Sequence, residues 1–250
     1  MILELKNISK YFTLQRGFFK SGAGKVMALK DISFSVDELS TLAIAGESGS
    51  GKTTLAKIIL KLIPPTSGEI MFNSEKITNF RKDVQIIFQN PYNSLNPKMR
   101  IIDILSEPLL IHQITGRKFF KDKVSELLKM VGLNGDILNR YPIEFSGGQR
   151  QRICIARALA TGPKLIVLDE PISSLDLTVQ AQMLDLFLEL KNKLKLTYIF
   201  ISHNLAVIRH IADEVMLVQN GRIVEHGKKE DIFNNPVNLY TKLLLQAASS

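Results

Sequence analysis

Three glycines, one lysine and two threonines fall within nine residues where the chain reads GESGSGKTT, positions 46–54. Gly46, Gly51, Lys52 and Thr53 satisfy the spacing Gly-x-x-x-x-Gly-Lys-Ser/Thr, and the chemistry of that spacing is phosphate binding. Glycines let the backbone curl until its N–H groups converge on phosphate oxygens, and a following helix adds the positive end of its dipole. Lys52 is placed to reach β- and γ-phosphates, and Thr53 offers a hydroxyl to Mg²⁺. The expected cradle is Gly46, Glu47, Ser48, Gly49, Ser50, Gly51, Lys52, Thr53 and Thr54.

A second constellation lies in KLIVLDEP, where four apolar residues lead to Asp169 and Glu170. A strand ending in two carboxylates presents them at the carboxyl edge of a sheet, where open α/β sheets bind ligands. Asp169 is assigned to the metal and Glu170 to the role of base that polarises an attacking water. The stretch FSGGQRQR, 145–152, sets Ser146, Gly147, Gly148 and Gln149 at the start of a helical pattern, a second anion-binding terminus. One nucleotide has a single triphosphate, so this terminus is expected to serve a nucleotide held by another chain. That predicts a dimer with ATP between its subunits.

Several elements must position these groups. Alternation in LELKNI (3–8) and ISFSV (32–36) predicts half-buried strands joined by a long polar loop, QRGFFKSGAGK (15–25). The continuously apolar TLAIA (41–45) predicts a strand covered on both faces, and Leu55, Ile58, Ile59 and Leu62 predict a helix halted by Pro64-Pro65. Helical patterns dominate 100–160, with VSELLKMVGL and QRQRICIARALA the clearest. KLIVLDE and TYIFIS, separated by the amphipathic VQAQMLDLFLELKNKL, have the βαβ rhythm of a parallel sheet. Asn220-Gly221 marks a hairpin within 214–227, and NLYTKLLLQAA predicts a short terminal helix.

Composition narrows the class. The 250 residues are 45% hydrophobic and 22% charged, ordinary for a globular protein. The single cysteine, Cys154, sits in ICIARAL, excludes an internal disulfide and is expected to pack as a small hydrophobe. With no signal-peptide pattern at the N-terminus and no apolar run of about 18 residues, a cytoplasmic location without a membrane anchor is expected. The net charge of +8 is scattered, with a loose cluster at GRKFFKDK, so solvated surface charge is expected in place of a nucleic-acid footprint.

GESGSGKTT, IIFQNP, FSGGQRQR, LIVLDEP, SSLD and ISHN, in that order, resemble the ATPase subunit of an ATP-binding cassette (ABC) transporter over nearly the whole chain. FQNPYNSLNP, the long loop after Tyr11 and the ending NLYTKLLL are similar to the oligopeptide, dipeptide and nickel importers. The resemblance implies an α/β P-loop NTPase core with a parallel sheet (about 1–98 and 161–235), an N-terminal antiparallel β-subdomain, an inserted helical subdomain (99–160) and a short C-terminal helix (236–250). It implies that Tyr11 stacks on adenine, with Phe12 competing, and that Gln89 binds Mg²⁺ and links the nucleotide to the helical subdomain. Asp176 is implied at the dimer seam, and His203 at the γ-phosphate, orienting Glu170 and the attacking water. His112, His210 and His226 lack such context. Expected partners are a second cassette, two membrane permease subunits and, indirectly, an extracytoplasmic cargo-binding protein, with the chain peripheral on the cytoplasmic face of the membrane. Two alternatives stand beside this: a soluble cassette acting on nucleic acid or ribosomes, motivated by the +8 charge, and a non-catalytic nucleotide switch.

Overall fold

The computed structural model describes residues 1–14, 24–89 and 94–249. In chain order the strands and helices are β1 (Leu3–Leu14), β2 (Gly24–Val36), β3 (Thr41–Ala45), α1 (Lys52–Ile59), β4 (Ser67–Phe72), α2 (Phe80–Asp83), β5 (Val84–Ile87), α3 (Ile101–Ile111), α4 (Phe120–Met130), α5 (Gly147–Leu159) and β6 (Leu165–Asp169). They continue with α6 (Leu177–Leu194), β7 (Thr197–Ile201), α7 (Leu205–Ile211), β8 (Glu214–Gln219), β9 (Arg222–Lys228), α8 (Lys229–Asn234) and α9 (Leu239–Ser249). The chain divides into two compact units, Met1–Lys76 with Ile199–Ser250 and Ile77–Tyr198.

In the first unit β1 pairs antiparallel with β2, Leu3 opposite Val36 and Leu5 opposite Phe34, and with β4 on its other edge. The strands run further than alternation alone suggested, because the ladder continues to Leu14 opposite Gly24; most of the expected loop at 15–25 lies outside the described residues. β4 approaches β1 so closely that only glycine fits at Gly68, where a Cβ would lie 2.4 Å from the Asn7 carbonyl oxygen. Strands β7, β3, β8 and β9 lie side by side in that order, β3 parallel to β8 and β8 antiparallel to β9. All five residues of β3 are buried, as a strand covered on both faces requires. One cover is apolar, with Ala43 and Ala45 meeting Leu205, Ile208, Ile232 and Tyr240 from α7, α8 and α9.

Helix α1 buries Leu55, Ala56, Ile58 and Ile59. It does not run to the prolines. Lys61 takes a left-handed φ of 54°, its N–H donates to the Ile58 oxygen, and the Leu62 N–H donates to the Lys57 oxygen, which closes the helix end before Pro64.

In the second unit β5 pairs parallel with β6, Val84 beside Leu165 through Ile87 beside Leu168. Helices α3, α4 and α5 pack through the buried Leu105, Leu109, Leu127, Leu128 and Ile153, and Arg152 donates to the Val131 oxygen at 2.7 Å. α6 carries Phe187, whose ring meets Tyr198 edge-on at 6.1 Å while the Tyr198 hydroxyl donates to the Phe187 oxygen. Burial pushes that phenol far above its ordinary range.

Candidate functional site

The loop between β3 and α1 is forced into shape by its glycines. Gly46, at φ 146°, passes so near β8 that a Cβ would sit 2.2 Å from the Val218 oxygen. Gly51, at φ 109°, precedes α1 with no side-chain cap, which leaves the first-turn N–H groups to whatever acceptor sits before them. Lys52 is buried, and its Nζ donates to the Gly46 oxygen at 2.7 Å and the Glu47 oxygen at 2.8 Å. An ammonium at that depth is stabilised by directed acceptors, and two carbonyls supply them. Ser50 is buried beside it, Glu47, Ser48 and Gly49 are exposed, and Thr53 is exposed on the first turn with Thr54 half-buried.

Two contacts from distant parts of the first unit brace this loop. The Gly221 N–H, in the Asn220-Gly221 turn between β8 and β9, donates to the Ser50 oxygen at 2.9 Å, and the Gly221 oxygen accepts from Lys30 at 2.7 Å. On the loop's other limb the Glu47 N–H donates to the Tyr240 hydroxyl of α9 at 3.2 Å. Burial raises the Tyr240 phenol above its ordinary value, so it remains a hydroxyl at neutral pH. In the sequence the first brace reads only as a hairpin turn, and Tyr240 falls within NLYTKLLL with nothing to assign it a partner.

His203 follows β7 directly. The Ser202 N–H donates to the Ile44 oxygen at 3.2 Å, so His203 stands at the carboxyl edge of β3, where the glycine loop begins. The next residue, Asn204, caps α7 by accepting from Ala206 and Val207, and the exposed His203 is held between strand end and helix start. Tyr11 is 40% and Phe12 41% exposed, on opposite faces of β1, so exposure alone does not choose between them. Lys10 lies 5.3 Å from the Phe12 ring centre and engages that face; Tyr11 shows the other.

In the second unit Asp169 ends β6 and is 8% exposed, while Glu170 is half-buried with a left-handed φ of 50°. The Ser173 N–H and hydroxyl both donate to the Glu170 oxygen, at 3.3 and 3.1 Å, and hold that turn. Gln89 is exposed two residues beyond Ile87, as Glu170 is two beyond its ladder partner Leu168, so both leave the same edge of the β5–β6 pair. Residues 90–93, part of the stretch FQNPYNSLNP, lie outside the described residues.

Ser146 caps α5 in a reciprocal box, the Gln149 N–H donating to the Ser146 hydroxyl at 3.3 Å and the Ser146 N–H to Gln149 Oε1 at 3.1 Å. Asp176 caps α6, accepting from Val179 at 2.9 Å. The two helix starts touch: a Cβ on Gly148 would fall 2.8 Å from Val179 Cγ1, and one on Gly147 would fall 3.4 Å from Leu175 Cδ2. Ser146, Gly147, Gly148, Gln149 and Asp176 are therefore one surface. The glycines have a packing reason beyond the phosphate approach read from sequence. Among the described residues no group of three or more His, Cys, Asp or Glu could hold a metal ion by itself.

Residues 29–173 match the ABC transporter family. The chain belongs to that family. Relatives span it almost completely: the di/tripeptide transport ATP-binding protein DppF of Pseudomonas aeruginosa (strain UCBPP-PA14) is 43% identical over 98% of this chain and 78% of its own length. The oligopeptide transport ATP-binding protein AppF of Bacillus subtilis (strain 168) is 44% identical over the same shares. Among solved structures, the dimeric post-hydrolysis state of the ATP-binding cassette MJ0796, bound to ADP and Pi, superposes with a TM-score of 0.76 and 28% identity, covering 91% of this chain and 99% of that one. The protein is an ABC ATPase, coupled to transport, with the P-loop fold the motifs implied. No helix among the described residues of this cassette is long and apolar enough to cross a membrane.

Proposed function

We propose that this cassette hydrolyses ATP to energise a membrane importer of di- and oligopeptides, working as one of a pair of cassettes that close on ATP and reopen after hydrolysis. The observation that carries the assignment of the nucleotide site is Lys52, buried on the Gly46 and Glu47 carbonyls before an uncapped helix start. Phosphate oxygens join those carbonyls as its acceptors, and the first-turn N–H groups of α1, which no side chain caps, face the anion. Tyr11 offers its exposed face to adenine.

Thr53 in the first unit offers a hydroxyl, and Gln89 and the buried Asp169 in the second offer an amide oxygen and a carboxylate; each is an oxygen donor of the kind a hard divalent cation takes, and each is assigned to Mg²⁺, which would neutralise charge that develops on the phosphates. Glu170 takes the proton of the attacking water, and His203, at the carboxyl edge of β3, hydrogen-bonds the γ-phosphate. The Ser146–Gln149 terminus and Asp176 form the surface offered to a partner cassette's nucleotide. Supporting the cargo class, the relatives named above are peptide transport proteins, which favours peptides over nickel. Two permease subunits, an extracytoplasmic cargo-binding protein and a position on the cytoplasmic face of the membrane complete the proposal.

The test is to purify the tagged Glu170→Gln chain with ATP and Mg²⁺ from detergent-solubilised membranes of its own cell and identify what accompanies it. Two membrane subunits and a peptide-binding protein are expected. Recovery of ribosomes or DNA with no membrane protein overturns the transport role.

A further inference from the structure

We propose that Tyr240 is a positioning residue for nucleotide binding: from α9 its hydroxyl holds the Gly46–Glu47 peptide and thereby sets where the Lys52 ammonium rests. This rests on the reading of 46–54 as the phosphate loop. The Gly46 carbonyl and the Glu47 N–H belong to one peptide unit. Lys52 Nζ donates to that carbonyl at 2.7 Å, and the same unit's N–H donates to Tyr240 at 3.2 Å. Because a peptide is planar and its N–H and C=O point in opposite directions, fixing one end fixes the other. Rotation of this single plane would carry away the acceptor that holds Lys52.

The tyrosine itself is firmly seated. It is buried as a member of the apolar cluster that includes Ala45, Leu205, Ile208 and Leu217, a setting in which a phenol requires a polar partner. The start of α9 is tied to β9, since the Glu225 carboxylate accepts from the Val237 and Asn238 N–H groups at 2.7 and 3.1 Å. Asn238 in turn accepts from the Tyr240 N–H at 2.8 Å and donates to the Val224 oxygen at 3.3 Å. A helix 193 positions away along the chain thus sets the plane of the phosphate loop's first peptide. Without the hydroxyl, nucleotide would have to impose that geometry as it binds, which weakens binding without touching the chemical step.

Tyr240→Phe keeps the ring and removes only the oxygen. In the intact 250-residue chain, calorimetric titration with MgADP should show affinity weakened about fivefold, the effect of one neutral hydrogen bond. KM for ATP should rise by a similar factor with kcat within about twofold of wild type. Hydrogen exchange in the nucleotide-free chain should quicken at the Glu47 amide and stay unchanged through Val215–Val218. Unchanged affinity and unchanged Glu47 exchange would show that Tyr240 only fills space, and quickened exchange throughout α9 and β8 would show a packing role; either overturns the proposal. Lys52→Ala, titrated in parallel, separates the failures. Wild-type MgADP affinity in that variant removes the phosphate-loop reading itself, whereas its loss beside a Tyr240→Phe chain that binds normally removes only the positioning role.

Discussion

Glu170 combines a proposed catalytic task with an unfavourable backbone, and the two can be separated by substitution. Its φ of 50° places a residue with a Cβ in the left-handed region, at a cost of roughly 1–2 kcal/mol. Glycine escapes that cost but gives back roughly 0.4–1 kcal/mol through the greater freedom of its unfolded chain. The difference, about 0–1.6 kcal/mol with a midpoint of about 0.8, should make Glu170→Gly more stable than Glu170→Gln by about 2 °C in Tm for a chain of this length. Gln is the reference because it keeps the side-chain length and the strained backbone while removing the base. In a coupled phosphate-release assay both variants should lose hydrolysis by roughly 10²–10⁴-fold, the usual contribution of a positioned base. Strain held at a functional turn is expected where surrounding contacts enforce it, and here the two Ser173 donors on the Glu170 oxygen do so. A Gly variant that melts at or below the Gln variant refutes the strain account. A Gln variant that hydrolyses ATP at the wild-type rate removes Glu170 from the role of base.

Gly148→Ala should lower both stability and ATPase activity, because its methyl meets Val179 Cγ1 at 2.8 Å; adding Val179→Ala should restore the Tm, and activity that stays low would show that the glycine also serves the nucleotide. Glu225 is affected first by burial, which opposes its charge, but the Thr241 side chain, the Val237 and Asn238 N–H groups and nearby Lys242 outweigh that and hold its pKa below the usual value. Its contribution is present above the unfolded pKa and lost as pH falls through the lowered folded value, so α9 amides should lose exchange protection in mild acid ahead of β3, and Glu225→Gln should abolish that pH dependence. Burial pushes the Cys154 thiol up to about 11, so an aromatic disulfide reagent at pH 8 should label the native chain far more slowly than the urea-unfolded one; equal rates would refute its burial.

Much of the fold was legible because its signals are local. TLAIA, KLIVLDE and TYIFIS are apolar runs of strand length, and each is a buried five-residue strand. The helix starting at Gly147 was legible because Ser146 and Gln149 form a capping box within four residues. β4 was not legible, since SGEIMF is largely exposed and its place depends on an antiparallel ladder with Leu3–Lys6. The end of α1 was misread because Lys61 closes it in a conformation that sequence usually assigns to glycine.

The sequence by itself determined the chemistry available: a lysine behind glycines, carboxylates at a strand end, and an anion-binding helix start, each set by residues only a few positions apart. The tertiary structure alone decided how these groups are held. The Glu47–Tyr240 and Ser50–Gly221 hydrogen bonds, the meeting of Gly148 with Val179 and the left-handed turn at Glu170 join or arise from residues whose proximity is created by packing. The reason is physical: a motif specifies donors and acceptors along a short stretch of backbone, but the plane of a peptide or the φ of one residue is settled by whichever distant group the folded chain brings against it.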